Sequence, residues 1–207
     1  TGSDAGGSST KTAESIVPES GTSTYPDSTT FTVNGLTVTV PDKSTLTADQ
    51  QTVIQGLYSW WLEESLNLIK ESYGLSFDKD ASVKAINVTF PTSMKSTTLA
   101  AVSYYYDDDG KTYKLNLQIN PSRFKNLSST DVNGKSSFST LYLDRTLAHE
   151  LTHALLAAKI DYHHKLPAFF KEGIAELTHG IDDFRKSTIL ELVNSPSNLK
   201  SEGELTR

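Results

Sequence analysis

The chain of 207 residues contains no cysteine, so it forms no disulfides, and any metal site must use histidine and carboxylate ligands. No apolar run approaches the length of a membrane-spanning helix. The net charge is −6 and no cluster of lysine and arginine offsets it, which disfavours a nucleic-acid backbone as a partner. The length is sufficient for one sizeable hydrophobic core.

Residues 1–30 are poor in apolar side chains and rich in Gly, Ser, Thr and Asp. Such a segment cannot bury enough surface to fold, so we predict a disordered tether before one folded domain at 31–207. A leader of this composition is typical of a processed exported protein or surface lipoprotein. We therefore expect an extracytoplasmic location in a bacterium, either secreted or at the cell surface. A surface protein of this kind could be held by a lipid anchor on an N-terminal segment that is missing here. Alternatively, the sequence begins at an artificial boundary inside a longer protein, which is compatible with an extracytoplasmic location.

Strand patterns are interspersed with helix patterns along the folded part. Asn34-Gly35 within the alternating segment 31–40 is typical of a β-hairpin, and the segment ends at Pro41. The turn Asp107-Asp108-Asp109-Gly110 between 98–106 and 111–119 predicts a second antiparallel hairpin. We favour a turn over a calcium loop for the triple Asp, because an EF-hand needs alternating ligands and a distant Glu. A further strand is predicted at 84–90.

Thr47 and Gln50 form a predicted capping box for a long amphipathic helix from about Ala48 to Tyr73. We expect its Trp60-Trp61 pair in the core rather than on a carbohydrate-binding surface. Three more helices are predicted, from about Thr140 to Lys159, from Pro167 to Gly180, and from Asp182 to Val193.

The most informative motif is His-Glu-Leu-Thr-His at 149–153. Histidines four positions apart lie on the same helix face, where their imidazoles can converge on one ion. Zinc prefers nitrogen and oxygen ligands in a tetrahedron, and a catalytic site leaves one corner open for water. His149, His153 and Glu172 would supply three corners. Glu150 lies beside the first of them, where it can take a proton from water at the fourth.

A row of leucines indicates which way these histidines face. Leu147, Leu151 and Leu155 are four apart and predict the core side of the helix. The two histidines lie about 200° round the helix from that row, at about 100° per residue. They should therefore face another element or a cleft.

The motif, followed by eighteen residues (154–171) and then Glu172 in Glu-Gly-Ile-Ala-Glu, resembles the gluzincin zinc metallopeptidases. These include the thermolysin-like and aminopeptidase-N-like families, and the spacing and the Glu-Gly-x-Ala phrase are most similar to the latter. The resemblance covers about thirty residues, from Thr146 to Glu176. It implies Zn²⁺ on His149, His153 and Glu172, with Glu150 as general base.

The resemblance also implies an α+β, zincin-like catalytic core. In such a core a small, mostly antiparallel sheet packs on the active-site helix and the glutamate helix. The hairpin at 98–119 would then be the sheet edge that binds an extended substrate. At Glu176 the resemblance implies a carboxylate that accepts the remaining N–H of a zinc-bound imidazole. Thermolysin-like enzymes usually carry Asp at that position.

One expected part is missing from the pattern. The resemblance implies a tyrosine or histidine after the glutamate helix that stabilises the oxyanion by roughly a few kcal/mol, and neither residue type follows His179. Within the chain, His179 and Tyr162 are the candidates, together with His163 and His164. We favour the alternative that the stabilising group lies beyond Arg207, so that the domain is truncated at its C-terminal end.

The sequence therefore predicts a zinc-dependent peptidase that cleaves a peptide or protein substrate. A zinc-bearing, weakly active or degenerate binding module of a bacterial surface protein is the alternative. A zinc hydrolase acting on another bond is a third hypothesis.

Overall fold

A computed structural model describes residues 25–127 and 143–179. Its strands are β1 (Thr30–Val33), β2 (Leu36–Thr39), β3 (Ala85–Thr89), β4 (Ala100–Tyr106) and β5 (Thr112–Ile119). Its α-helices are α1 (Ala48–Gly56), α2 (Leu62–Tyr73), α3 (Leu143–Lys159) and α4 (Ala168–His179). The predicted loop continuing to residue 139 falls largely outside the described residues, and so does the predicted helix at 182–193.

The five strands form one sheet in the order β1-β2-β3-β5-β4. The two hairpin pairs, β1 with β2 and β4 with β5, are antiparallel, whereas β2 with β3 and β3 with β5 are parallel. The sheet is therefore mixed: two of its four strand pairs are antiparallel, as expected, and the two parallel pairs were not predicted. The physical reason is that α1 and α2 lie between β2 and β3 and return the chain in the same direction, as a crossover connection does. The broader α+β prediction agrees with the structure.

Both predicted hairpins are present. Asn34 and Gly35 have φ of 45° and 81°, the positive values that a tight two-residue turn requires. In the second hairpin, Gly110 donates its N–H to the Asp107 carbonyl at 3.0 Å, and Lys111 donates to Asp107 Oδ1 at 2.9 Å. The triple-Asp segment is thus a turn that Asp107 closes with its own oxygens.

The long helix begins with the predicted capping box, in which Thr47 and Gln50 bond reciprocally. A π-helical turn at Leu57–Trp61 joins α1 to α2. A Cβ on Gly56 would lie 2.3 Å from the Trp61 ring, so only glycine lets that ring lie against the helix. Trp60 and Trp61 are 7% and 0% exposed, which confirms the prediction that they belong to the core.

The folded part begins before residue 31. Tyr25 packs against the core with the Lys43 ammonium 4.5 Å from its ring centre, and Val40 donates its N–H to the Thr29 carbonyl at 2.8 Å. Residues at 25–30 therefore contact the folded part through Tyr25 and Thr29. The rest of the predicted tether, residues 1–24, lies outside the described residues.

The core lies between the sheet and the helices α2 and α3. The leucine row of α3 is fully buried, as predicted, at Leu147, Leu151 and Leu155. The same helix packs against α2, α4 and β4, so its histidine side faces the edge of the sheet and α4. Among the described residues, none of the helices combines the length and the apolar character needed to cross a bilayer.

Candidate metal centre and cleft

Two contacts fix the glutamate helix α4 beside α3. The Thr152 hydroxyl bonds to the Thr178 hydroxyl at 3.0 Å, within a buried contact between the helices. The Tyr73 hydroxyl of α2 donates to the Ile174 carbonyl of α4 at 2.9 Å. These bonds hold α4 at the height where Glu172 faces the histidines of α3.

The three predicted ligands meet in space. His149 Nε2 and His153 Nε2 lie 3.1 Å apart. Glu172 Oε2 is 3.4 Å from His149 Nε2, and Glu172 Oε1 is 3.4 Å from His153 Nε2. We call His149, His153 and Glu172 the metal group. It is the one group of three or more His, Cys, Asp or Glu in the described part of the chain that could hold a metal ion.

The spacing of the metal group matches a small tetrahedral ion. Ligands at about 2.0–2.1 Å from such an ion lie about 3.3–3.4 Å from one another. The separations of 3.1, 3.4 and 3.4 Å are close to that value. Two imidazole nitrogens and a carboxylate that converge in this way need a positive charge between them, either a proton or a cation.

The electrostatics of the group agree with that need. Hydrogen bonds with His149 and then His153 hold the pKa of Glu172 well below its usual range, despite its burial. Burial acts to lower the pKa of His149, but Glu172 and the other nearby carboxylates outweigh it and raise that pKa. The site thus retains a carboxylate charge opposite the two imidazoles.

Glu176 lies behind the metal group, one turn after Glu172. Its Oε1 is 3.7 Å from His149 Nδ1, the ring nitrogen turned away from the cluster. This is an ion-pair distance rather than a short hydrogen bond, so the predicted acceptor is on the correct side of the ring. From there its charge favours the tautomer in which Nδ1 carries the proton and Nε2 presents its lone pair to a cation.

Glu150 does not belong to the metal group but lies beside it, tied to the sheet. The Val102 N–H of β4 donates to Glu150 Oε2 at 2.9 Å. Burial raises the pKa of Glu150, against the opposing effect of the nearby histidines. None of the other described residues bonds Oε1, so this oxygen remains available to accept a proton.

A cleft of about 310 Å³ opens above these residues. Its floor is the metal group with Glu150, and the rest of its lining is Val102, Tyr104, His163 and Lys171. Because β4 is an edge strand, one side of the cleft is a strand whose outer edge pairs with no other described strand. A ligand in the cleft could therefore contact the metal group and β4 at once.

The connector between α3 and α4 brings its three ring-bearing residues to different places. The Tyr162 ring is 43% exposed and packs against Gly110, where a Cβ would lie 2.4 Å from it. The His164 ring stacks on Tyr106 with centres 3.8 Å apart. His163 points inward: it is 2% exposed, lies edge-on to Tyr104 with centres 5.0 Å apart, and lines the cleft.

These positions show which of the residues predicted to stabilise the oxyanion lie at the cleft. His163 lines the cleft, whereas Tyr162 and His164 are not part of its lining. His179 is the last described residue of α4, and its side chain lies outside what the structure describes. Burial, followed by the charge of Lys171, lowers the pKa of His163 to about 4, so its ring is neutral at pH 7.

Sequence reasoning missed Val102, Tyr104 and Lys171. Val102 and Tyr104 are two positions apart on β4 and therefore lie on the same face of the strand. Knowing that one of them faces the cleft would have predicted the same for the other. Lys171 precedes a predicted ligand, which was a weak indication of its location.

Searches for similar proteins gave no family model, no curated protein and no solved structure that matches this chain. The metal group and the cleft therefore carry the functional argument alone.

Proposed function

We propose that this protein is a zinc-dependent peptidase. The observation that carries the proposal is the convergence of the metal group beside Glu150 in an open cleft. A partly buried carboxylate with one available oxygen, next to a cation site, is the combination that hydrolysis by an activated water requires. We include the zincin-like architecture in the proposal, supported by the edge strand β4 that contacts both α3 and Glu150.

Zinc is the cation that fits this donor set best. The group offers two imidazole nitrogens and one carboxylate, the ligands found in catalytic zinc sites with an open fourth position. Softer thiolate ligands are excluded because the chain has no cysteine. When bound, zinc would lower the pKa of a water molecule toward neutrality and polarise the carbonyl of the scissile bond.

Glu150 is the proposed general base. Its Oε2 accepts the Val102 N–H, which fixes the plane of the carboxylate and leaves Oε1 to accept the proton of the attacking water. Its raised pKa makes the protonated form accessible, so the same group can return the proton to the leaving amine. The substrate would lie along β4 in extended form, adding to the edge of the sheet.

The first test is zinc content together with the cleavage of an unstructured protein. We expect near-stoichiometric zinc in the purified protein. We also expect Glu150→Gln to retain zinc and lose activity by about 100-fold or more. Glu63→Gln on α2 makes the same chemical change at an exposed position away from the cleft and should leave activity unchanged.

The outcomes separate the hypotheses. Absence of zinc, or unchanged cleavage by Glu150→Gln, would refute the proposed mechanism. Stoichiometric zinc without cleavage of any peptide would favour the zinc-bearing binding module. Zinc-dependent hydrolysis of a different bond would identify another class of hydrolase.

A further inference from the structure

The His163 ring lines the cleft without hydrogen-bond partners among the described residues. It is 2% exposed, and neither of its ring nitrogens has a hydrogen-bond partner among the described residues. A buried donor or acceptor without a partner costs about 1–3 kcal/mol, and native proteins seldom retain one without a reason. Because the ring lines the cleft, a molecule bound there could supply the missing partner.

Lys171 brings a positive charge to the cleft that His163 also lines. We call His163 and Lys171 the wall of the cleft. It lies on α4 directly before Glu172 and lines the cleft with His163. In the described part of the chain, none of the ion pairs includes Lys171. Because both residues line the same cleft, one ligand bound there could contact both of them.

The wall is held in place by the second hairpin. Tyr162 has a left-handed backbone, with φ of 58°, and donates its N–H to the Gly110 carbonyl at 2.8 Å. His163 lies against Tyr104, and the neighbouring His164 stacks on Tyr106. Three consecutive residues of the connector thus dock on the hairpin, and the inward direction of His163 is fixed before any ligand arrives.

We propose that His163 and Lys171 form a subsite that binds a carboxylate of the substrate close to the scissile bond. The proposal rests on the proposed peptidase function and names the substrate class: a peptide with a carboxylate at this position. A carboxylate offers two oxygens, which suit one imidazole N–H and one ammonium. The carboxylate can come from an acidic side chain or from the C-terminus of the peptide.

Charge makes this subsite selective. The floor carries the carboxylates of Glu150 and Glu172, which repel an anion in the metal-free cleft. A dication in the metal group would offset that repulsion and leave Lys171 to attract an anion on the wall. Binding of the carboxylate should therefore depend both on the metal and on Lys171.

The experiment measures binding rather than turnover, by calorimetry on the zinc-loaded Glu150→Gln protein. One probe is a short peptide with a central Glu and blocked ends, and a second replaces that Glu with Gln. A third probe is the Gln peptide with a free C-terminus. We expect one of the two carboxylate peptides to bind about tenfold more tightly than the blocked Gln peptide, which identifies the source of the carboxylate.

Matched variants locate the effect. Lys171→Met and His163→Phe should abolish the preference for the carboxylate, and His163→Gln provides a polar second variant if the phenylalanine form does not fold. Lys165→Met and His164→Phe change the same residue types in the connector, outside the cleft lining, and should retain the preference.

Three results would overturn the inference. The first is that the protein with an unmodified wall binds neither carboxylate peptide more tightly than the blocked Gln peptide. The second is a preference that survives both Lys171→Met and His163→Phe. The third is an equal weakening of all three peptides by His163→Phe, which would assign the ring to the reacting carbonyl instead. Failure of the peptidase proposal appears separately, as zinc-loaded protein with Glu150 intact that cleaves none of the peptides.

Discussion

The metal group on the floor of the cleft differs from the wall, His163 and Lys171, in how the polar groups are satisfied. The floor groups face one another at 3.1–3.4 Å across two helices. Among the described residues, neither wall side chain has a hydrogen-bond or ion-pair partner, and the two residues belong to a connector and the start of α4. The floor concentrates acceptor atoms and the wall concentrates donor atoms.

This difference indicates what each region lacks. Converging acceptors are stabilised by a cation, and unpartnered donors are stabilised by an anion or a carbonyl. The two regions should therefore respond to different changes: the floor to removal of a ligand, and the wall to acidification and to loss of its support. Four predictions test that division, in order of decreasing effect.

The largest effect is expected from His153→Ala, which removes one ligand of the floor. Zinc affinity should fall by about 100-fold or more, because two ligands cannot replace three in the same geometry. Competition with a coloured chelator measures it. His164→Ala removes a histidine of the connector and should leave zinc affinity unchanged. Equal affinities for His153→Ala and the unmodified protein would exclude His153 from the site.

The wall should make the protein sensitive to acid. The pKa of His163 is lowered from 6.5 to about 4 by burial and then by the charges of Lys171, His153 and His164. Between these pH values the unfolded chain binds a proton that the folded chain does not, so the free energy of unfolding falls as pH falls through this window. The loss is on the order of 3 kcal/mol and is absent above pH 6.5.

Denaturant unfolding at several pH values, in the presence of a chelator, measures this loss. His163→Gln should remove the part of the slope between pH 6.5 and 4 that His163 contributes, whereas His164→Gln should retain it. Parallel curves for His163→Gln and the unmodified protein would contradict the assignment of the slope to His163.

The support of the wall is tested by Gly110→Ala. Gly110 has φ of 72°, and an added Cβ would lie 2.4 Å from the Tyr162 ring, so we expect a loss of about 2–3 kcal/mol in unfolding free energy. Gly74→Ala is the control: its φ is 66°, but nothing lies within 4 Å of the added Cβ, and it should cost about 1 kcal/mol. If the two variants are equally stable, the contact between the hairpin and Tyr162 is not structural.

The smallest effect concerns the support of the floor. Glu176→Gln keeps an acceptor oxygen near His149 Nδ1 but removes the charge that lies 3.7 Å from it. Zinc affinity should fall by about tenfold, within the range for residues that orient a metal ligand. Thermal unfolding of the metal-free protein should change little. An unchanged zinc affinity would make Glu176 an ordinary helix residue.

The parts that sequence predicted correctly rest on local patterns. The capping box at Thr47, the turn at Asn34-Gly35 and the helical spacing of His149 and His153 each depend on a few neighbouring residues. The convergence of Glu172 with the two histidines depended on the resemblance, because eighteen residues separate it from the motif and spacing alone does not fix a distance.

The parts that sequence did not predict depend on contacts between distant segments. The parallel pairing of β2 with β3 follows from the way α1 and α2 cross the sheet. The π-helical turn depends on the packing of Trp61 against Gly56. The inward direction of His163 depends on hairpin residues, Tyr104 to Gly110, that lie more than fifty residues earlier in the chain. In each case the determining partner lies outside the local window that periodicity covers.

The bond from Val102 to Glu150 also affects how the protein meets other chains. An edge strand offers free N–H groups to which any extended segment can add, which is a common route to aggregation. Here one such group of β4 is already donated to a carboxylate at 2.9 Å. A foreign strand that pairs with Val102 must displace Glu150 and leave a partly buried carboxylate without its donor. Only a molecule that offers Glu150 a replacement proton avoids that cost, so the edge admits partners according to their chemistry.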